Sequence, residues 1–175
     1  GEYVLPGGGV LLAGVAAGID QFNPWTQPFP AGAFTGNPTV LVQVASQSQG
    51  ASSPPTTVRV DGVSADGFTM RLQVEEAANP NVPAEDVHWI AFESANVPAL
   101  FETNAAPLLV DDGGTSVSFS QGFSDAPRLF AQIQTIDEED SVTLRAHARS
   151  SAGFDVFAEE ESSADGELAH TAEQV

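Results

Sequence analysis

The side chains that could act as acids, bases or nucleophiles form no catalytic group in this sequence. Serine is common, yet no Gly-x-Ser-x-Gly nucleophile elbow occurs. Adjacent carboxylates at Glu75 and Glu76 and at residues 159–161 have the chemistry for general acid–base work. With 24 acidic residues among 175, such neighbours are expected from composition alone. The histidines are dispersed and are predicted to take ordinary surface or edge positions: His88, His147 and His170. We predict that the protein is not an enzyme.

Acidic loops offer the hard oxygen ligands that Ca²⁺ binds. The candidates are Asp111 with Asp112, residues 137–140 and residues 165–167. None of them follows the twelve-residue spacing of an EF-hand, and solvated acidic loops explain them more simply. We therefore predict no cofactor, with Ca²⁺ kept as the alternative.

The chain has no lysine and five arginines, so the few cations stand out. Arg59 and Arg145 occupy matching positions on predicted strands, next to acidic neighbours. We interpret them as partners of carboxylates across strands, with their stems packed on the sheet. Trp89 stands in an apolar strand and is interpreted as a core residue. The alternative is a ligand role, in which Arg59, Arg145 and Trp89 contact a bound molecule and Trp25 or Trp89 stacks on a sugar.

The charge balance is the strongest compositional signal, with a formal net charge of −19 at pH 7. A small chain with this charge repels itself at ordinary ionic strength. At molar salt the Debye length falls to about 3 Å and the repulsion is screened. An acidic surface chosen for solubility alone does not explain the loss of every lysine. We predict a high-salt habitat, outside the cell, on the surface of a halophile or of a virion.

The same charge argues against nucleic-acid binding, which requires a basic surface. The longest weakly polar run, residues 7–19, is too short to cross a bilayer, so no membrane span is predicted. The absence of cysteine leaves the redox compartment undetermined.

A stretch of the chain occurs twice, as residues 57–70 and 143–156. Thr57, Arg59, Gly67 and Phe68 in the first copy correspond to Thr143, Arg145, Gly153 and Phe154 in the second. Each copy is predicted to form strand, tight turn and strand, with Asp66 and Gly67 supplying the positive φ angles of a two-residue hairpin loop. A second match joins residues 34–44 to residues 123–133. The chain is therefore predicted to contain an internal repeat of about 87 residues.

Alternating apolar residues in these copies predict strands with one buried face. The expected fold is all-β, with two tandem antiparallel β-sandwich modules. Residues 10–19 are predicted to form either one strand or an extended pair with a break at Gly14, and the proline-rich residues 22–30 are predicted to form a loop. The predicted units are an N-terminal strand and Gly-rich connector (1–24), a first sandwich (25–92), a linker (93–112) and a second sandwich (113–175).

The second copy lacks the counterpart of one strand. In the first copy, residues 84–87 run into His88 and the apolar residues 89–92, whereas residues 172–175 match 84–87 and close the sequence. An open sheet edge is normally filled or blocked. Three explanations are open: a strand follows Val175, a neighbouring subunit donates one, or the N-terminus of the same chain folds back and closes a ring. The N-terminal residues 2–5 resemble residues 89–92, because both segments are four residues long with aromatic and aliphatic side chains. The residues assigned to strand exchange are therefore Glu2, Tyr3, Val4, Leu5, Ala172 and Val175.

With these elements in place, the repeat resembles the H-type lectin domain over residues 29–92 and 119–175. The shared features are a Phe–Pro strand entry, the alternating residues 40–44, the Arg59 strand, the Gly67–Phe68 strand and the Trp89-Ile-Ala run. The resemblance implies a six-stranded antiparallel β-sandwich that associates in threes and binds galactose-type sugars. It places no sugar-contacting residue on this sequence.

The function predicted from these features is structural. We expect a non-enzymatic extracellular subunit of a surface filament, fibre or virion appendage, assembled with copies of itself head-to-tail by strand complementation. The alternative is a glycan-binding adhesin or receptor-binding lectin-like module whose partners are cell-surface glycans.

Overall fold

A computed structural model describes residues 1–5, 9–48, 54–75, 77, 82–93, 102, 108–137, 141–160, 162 and 171–175. This part of the chain contains twelve strands and no helix. The strands are β1 (Glu2–Val4), β2 (Val10–Ile19), β3 (Trp25–Pro28), β4 (Thr39–Val44), β5 (Thr56–Ser64), β6 (Gly67–Val74), β7 (Glu85–Phe92), β8 (Leu109–Val110), β9 (Thr115–Ser118), β10 (Val142–His147), β11 (Gly153–Glu160) and β12 (Glu173–Gln174). All strand pairs are antiparallel, which confirms the all-β prediction.

The first module consists of two sheets around one core. One sheet has the strand order β1-β2-β7-β4 and the other has the order β3-β6-β5. Period-two alternation sends Phe68, Met70 and Leu72 of β6 inward, as their pattern predicted. The buried core contains Leu12, Ala16, Ile19, Phe29, Phe34, Val40, Val58, Val60, Phe68, Met70, Leu72, Val87, Trp89 and Ala91.

The second module is smaller and has its own core. Strands β10, β11 and β9 form a sheet in which the order repeats that of β5, β6 and β3, and β12 pairs with β8. The buried core residues are Val110, Ile133, Val142, Val156 and Ala158. The two modules also share an aromatic arrangement, since Phe29, Phe34 and Phe68 are matched by Phe119, Phe123 and Phe154. The spacing of these counterparts varies, because the connecting loops differ in length, and a single period of about 87 residues is not confirmed.

The turn between β5 and β6 differs from the prediction. Ser64 pairs with Gly67, so the two-residue loop is Ala65–Asp66. The Ser64 hydroxyl accepts the Asp66 N–H at 3.3 Å and donates to the Gly67 carbonyl at 3.2 Å. Gly67 instead begins β6, where a Cβ would lie 2.5 Å from the Gln27 carbonyl oxygen of β3. The prediction that Asp66 and Gly67 form the turn was therefore wrong, and Gly67 is required by the close approach of β3.

Of two other local predictions, the single strand over residues 10–19 is confirmed, whereas the loop over residues 22–30 was wrong in part. Strand β2 runs through Gly14 without a break, because Gly14 pairs with Trp89 and leaves space for the indole. A Cβ on Gly14 would lie 2.5 Å from Cζ2 of Trp89. The proline-rich residues 22–30 contain β3, which tolerates Pro28 at its last position beside Gly67.

Several strands fall outside the predicted sandwich limits. Strands β1 and β2 belong to the first sandwich, although residues 1–24 were assigned to a separate N-terminal strand and Gly-rich connector. Strand β8 belongs to the second module, although residues 93–112 were assigned to a linker. The first module thus has seven strands, one more than the resemblance to H-type lectins implies.

Candidate functional site

The most unusual polar group in the described structure is Arg59, in the middle of β5. Its neighbours Val58 and Val60 face the core of the first module, so Arg59 points to the opposite face of the sheet. That face is covered, and the residue is only 1% exposed. The guanidinium Nη1 donates to Gln73 Oε1 at 3.0 Å. Nη2 donates to the Thr135 carbonyl at 3.0 Å and forms an ion pair with Glu173 Oε1 at 2.5 Å.

The carboxylate that meets Arg59 belongs to the second module. Glu173 lies on β12 and is fully buried at 0% exposure. The Thr135 hydroxyl donates to its Oε2, and the Asp137 N–H donates to both oxygens at 3.2 and 3.1 Å. Both carboxylate oxygens are therefore hydrogen-bonded, which is the condition under which a buried charge is tolerated.

Two further contacts join the modules beside this pair. The Gln134 side chain donates to the Val40 carbonyl at 2.9 Å and accepts the Val40 N–H at 3.3 Å. The Ser141 hydroxyl donates to the Val74 carbonyl at 2.9 Å. We call the contacts of Arg59, Gln134 and Ser141 with the opposite module the intermodule junction. It is polar and directional, so it fixes how the two modules sit on each other.

Burial and charge act in opposite directions on the two ionised groups. Burial lowers the pKa of Arg59, and the charge of Glu173 works against that shift. For Glu173, burial favours the neutral acid, but the Thr135 hydroxyl, the Arg59 charge and the Asp137 N–H together outweigh it and lower the pKa. Because the pair is enclosed, dissolved salt screens it far less than a surface pair.

The lowered pKa of Glu173 predicts a specific acid sensitivity. The folded carboxylate binds its proton only below the ordinary value of 4.5, so the unfolded state binds more protons across that range. The stabilisation is complete above that value and is lost as the pH falls through the folded-state pKa. We expect Glu173→Gln to flatten the dependence of the unfolding free energy on pH below 4.5, measured by urea denaturation in molar salt. Thr135→Val should flatten it in part, and an unchanged slope in both variants would contradict this assignment.

Arg145, the counterpart of Arg59, is in a different setting. Its side chain is 63% exposed and pairs with the Glu159 carboxylate on the neighbouring strand β11. This is the cross-strand bridge expected for both arginines. For Arg59 the cross-strand partner is the amide of Gln73, and the carboxylate comes from the other module.

The residues proposed as ligand contacts are not brought together. Trp89 is 8% exposed and packs against Phe29 and Phe68 in the first core. Arg59 and Trp89 are therefore enclosed by protein, and neither presents a surface to a sugar in this conformation. Arg145 and Trp25 are exposed, on different modules.

The residues proposed for strand exchange lie at two separate places. Strand β1 pairs with β2 through Glu2, Tyr3 and Val4. At the other end of the chain, the Val175 N–H donates to the Leu108 carbonyl at 3.0 Å, beside the short β12–β8 ladder and next to Ala172. The N-terminal strand is thus docked on its own first module and does not close a ring with β12.

The remaining candidates for chemistry are dispersed. His88 is exposed on β7, and His147 Nδ1 lies 3.5 Å from Asp155 Oδ2 on the surface of the second module. Asp111 Oδ1 accepts the N–H groups of Gly113 and Gly114, so this carboxylate holds a turn. Among the residues that the structure describes, no three acidic or histidine side chains are grouped as metal ligands. His170 and residues 76, 138–140, 161 and 165–167 lie outside the described residues.

Comparison of the chain with family models, curated proteins and solved structures finds no match. The resemblance to H-type lectins therefore stays a prediction. Within the described residues, no helix has the length and apolar character needed to cross a membrane.

Sequence reasoning missed the two buried glutamates. Glu173 and Glu85 stand at the same place in the matching segments Ala172-Glu-Gln-Val and Ala84-Glu-Asp-Val, and both are buried. Glu85 Oε2 accepts the Ser46 hydroxyl and the Ser48 N–H, as Glu173 accepts Thr135 and Asp137. The signal was a glutamate followed two residues later by a valine, at matching places in both copies.

Proposed function

We propose that this protein is a non-enzymatic structural subunit of an extracellular surface assembly in a high-salt habitat. The assembly would be a filament, a fibre or a virion appendage in which copies join head-to-tail. The observation that supports it best is a strand position in the second module that no described strand fills.

Comparison of the two modules defines this position. In the first module, all six residues of β4 pair with β7. The Ala45 N–H then donates to the Asp86 carbonyl, and in the second module the Gln134 N–H donates to the Gln174 carbonyl in the same way, both at 2.7 Å. The residues before Gln134, however, belong to no strand. Phe130 is 81% exposed there, and Leu109 of β8 is also exposed.

Strand β1 is a suitable donor for this position. It has three residues, all of them exposed, and it pairs with β2 along only one edge. A short exposed strand that is paired along one edge only opens at little free-energy cost. Tyr3 and Val4 would then exchange an exposed site for one beside Phe130, and main-chain hydrogen bonds would supply the affinity that strand addition provides.

The composition supports the high-salt setting of this proposal. At a net charge of −19, copies of the chain repel one another unless salt screens them. Glycan binding has less support, because Arg59 and Trp89 are enclosed.

The proposal predicts that the purified chain elongates in molar salt and that β1 is required. We expect Val4→Pro to abolish elongation, because proline removes an N–H that the donated strand would use in pairing. Electron microscopy and sedimentation velocity measure the outcome.

Val4→Thr is the matched control, since threonine keeps both the β-branched shape and the N–H. It should elongate almost as the parent does. Fibres of normal length from Val4→Pro would rule out strand donation by β1. A chain that stays monomeric at every concentration and salt level would rule out the proposed assembly itself.

A further inference from the structure

Three phenylalanine rings of the second module repeat the geometry of three rings in the first. In the first module, the ring centroids of Phe29 and Phe34 lie 4.9 Å apart at an interplanar angle of 79°, and those of Phe29 and Phe68 lie 5.6 Å apart at 41°. The corresponding values in the second module are 5.0 Å at 80° and 5.7 Å at 38°. We call the three rings of the second module the aromatic cradle, which consists of Phe119, Phe123 and Phe154.

The main chain that positions these rings is repeated as well. The Phe29 N–H donates to the Asp66 carbonyl at 2.8 Å, and the Phe119 N–H donates to the Ala152 carbonyl at 2.9 Å. In each module the next strand begins with a glycine that has no room for a Cβ. The two aromatic groups therefore belong to the same structural frame, and the group that covers one of them indicates what the other can accept.

The first module adds a fourth ring, to which nothing in the described part of the second module corresponds. The indole of Trp89 lies against Phe29 and Phe68 at centroid distances of 6.0 and 5.8 Å. The three phenylalanines of the first module are all buried. Those of the cradle are only half-buried, and among the described residues their ring contacts are with one another. The group that would complete the cradle is therefore an aromatic side chain.

The fourth ring would come from the strand position that no described strand of the second module fills. Trp89 lies on β7, opposite Val42 of β4. In the matching residues 123–133, Ala131 takes the place of Val42, and it is exposed. A strand that paired with residues 128–133 as β7 pairs with β4 would bring one side chain opposite Ala131. That side chain would point onto the cradle, as Trp89 points onto the first core.

Tyr3 of β1 fits this place. It carries the aromatic ring of β1 and is 62% exposed on its own module. With Tyr3 opposite Ala131, the alternation of the strand also directs Leu5 inward and leaves Glu2 in water. A register shifted by one residue would instead place the Glu2 carboxylate on the cradle, where burial of an unpaired charge opposes it.

We infer that the aromatic cradle binds the side chain of Tyr3 from a second copy, in the place that Trp89 takes in the first module. This inference rests on the proposed strand donation and names its anchoring side chain and its register. Main-chain hydrogen bonds of an added strand are the same for any sequence, so the anchor supplies the specificity. The ring contributes its apolar surface, since Nε1 of Trp89 is enclosed without a hydrogen-bond partner among the described residues.

The anchor is tested by self-association of the full chain, measured by sedimentation velocity in molar salt. We expect Tyr3→Ala to weaken association about tenfold or more, because buried aromatic anchors carry much of the affinity of an interface. Tyr3→Phe should associate as the parent does. Val15→Ala is the control, because it removes an exposed apolar side chain from the same sheet but outside β1, and it should change association far less. If Tyr3 only held β1 on β2, its removal would make β1 easier to donate and association would not weaken.

The register is tested by disulfide cross-linking, which is specific because the chain has no cysteine. The predicted register places Val4 opposite Phe130, and both side chains are exposed before assembly. Residues directly opposite in an antiparallel pair have Cα atoms within disulfide range. We expect a mixture of Val4→Cys and Phe130→Cys chains to form linked dimers under mild oxidation, seen on a non-reducing gel. Each variant alone, and Glu2→Cys mixed with Phe130→Cys, should form far fewer.

The outcomes separate this inference from the proposed assembly. If the parent assembles and Tyr3→Ala assembles equally well, or no worse than Val15→Ala, the anchor is wrong while the assembly stands. A loss for Tyr3→Phe as large as that for Tyr3→Ala would also overturn it, and Glu2→Cys that links as readily as Val4→Cys would overturn the register. If the parent is monomeric under every condition, the assembly and the anchor are both wrong. Because Tyr3 is exposed, its variants are expected to fold, and urea denaturation checks this.

Discussion

Arg59→Met should destabilise the protein by about 3–5 kcal/mol, because it leaves the buried carboxylate of Glu173 without its counter-charge. The methionine keeps much of the arginine stem's volume, so the loss reports charge and hydrogen bonding more than packing. Three acceptors lose their donor at once, on Gln73, Thr135 and Glu173. Urea denaturation in molar salt, followed by tryptophan fluorescence, measures the free energy of unfolding.

Arg145→Met provides the matched control, since it changes the same residue type at the same strand position but on an exposed face. We expect a loss of only about 0–1 kcal/mol. Adding Glu173→Gln to Arg59→Met should recover part of the stability, because no uncompensated charge then remains buried. Equal losses for Arg59→Met and Arg145→Met would mean that the junction contributes nothing beyond a surface pair.

Trp89→Ala should have a similarly large effect, about 3–5 kcal/mol, because it opens a cavity in the first core. The indole lies across Gly14 and contacts the rings of Phe29 and Phe68 at centroid distances of 6.0 and 5.8 Å. Removing it exposes the glycine backbone of β2 to an empty space that no neighbouring side chain fills. The midpoint of urea denaturation measures the change.

Trp25→Ala is the control for this prediction. Trp25 is one of the exposed large apolar residues, and its removal should cost far less than that of Trp89. The two variants also separate the fluorescence signals, since each leaves a single tryptophan. A Trp89→Ala variant that loses no more stability than Trp25→Ala would show that the first core does not depend on the indole.

Much of the fold could be predicted because apolar and polar residues alternate along the longer strands. The alternating residues of β6 and the apolar residues of β7 gave their elements directly, since each strand is long and buried on one face. Strands β8 and β12 have two residues each, which is too short for any periodic signal. They were therefore assigned to a linker and to an unpaired end.

Glycine was the residue type whose structural role was hardest to predict from the sequence. Gly14 left a break in β2 open as an alternative and Gly67 predicted a turn, because glycine commonly serves both purposes. In the structure each glycine makes room for a neighbour on another strand, the indole of Trp89 in one case and the β3 backbone in the other. Such a requirement depends on strand pairing and is invisible within a local window of sequence.

The candidate site was predicted only in part, because it also depends on contacts between segments that are distant in the sequence. The repeated arginines marked Arg59 and Arg145 as unusual, and a carboxylate partner was expected for both. The partner of Arg59, however, lies 114 residues away in the sequence. Only the packing of one module on the other brings it within reach, so local pattern could not identify Glu173.

The intermodule junction also has a mechanical consequence. Its contacts attach the second module to β4 at Val40, to β5 at Arg59 and to β6 at Val74. Attachments on three different strands resist rotation about any single axis, so the pair of modules should behave as one stiff rod segment. In a fibre built from such segments, bending would concentrate at the contacts between molecules.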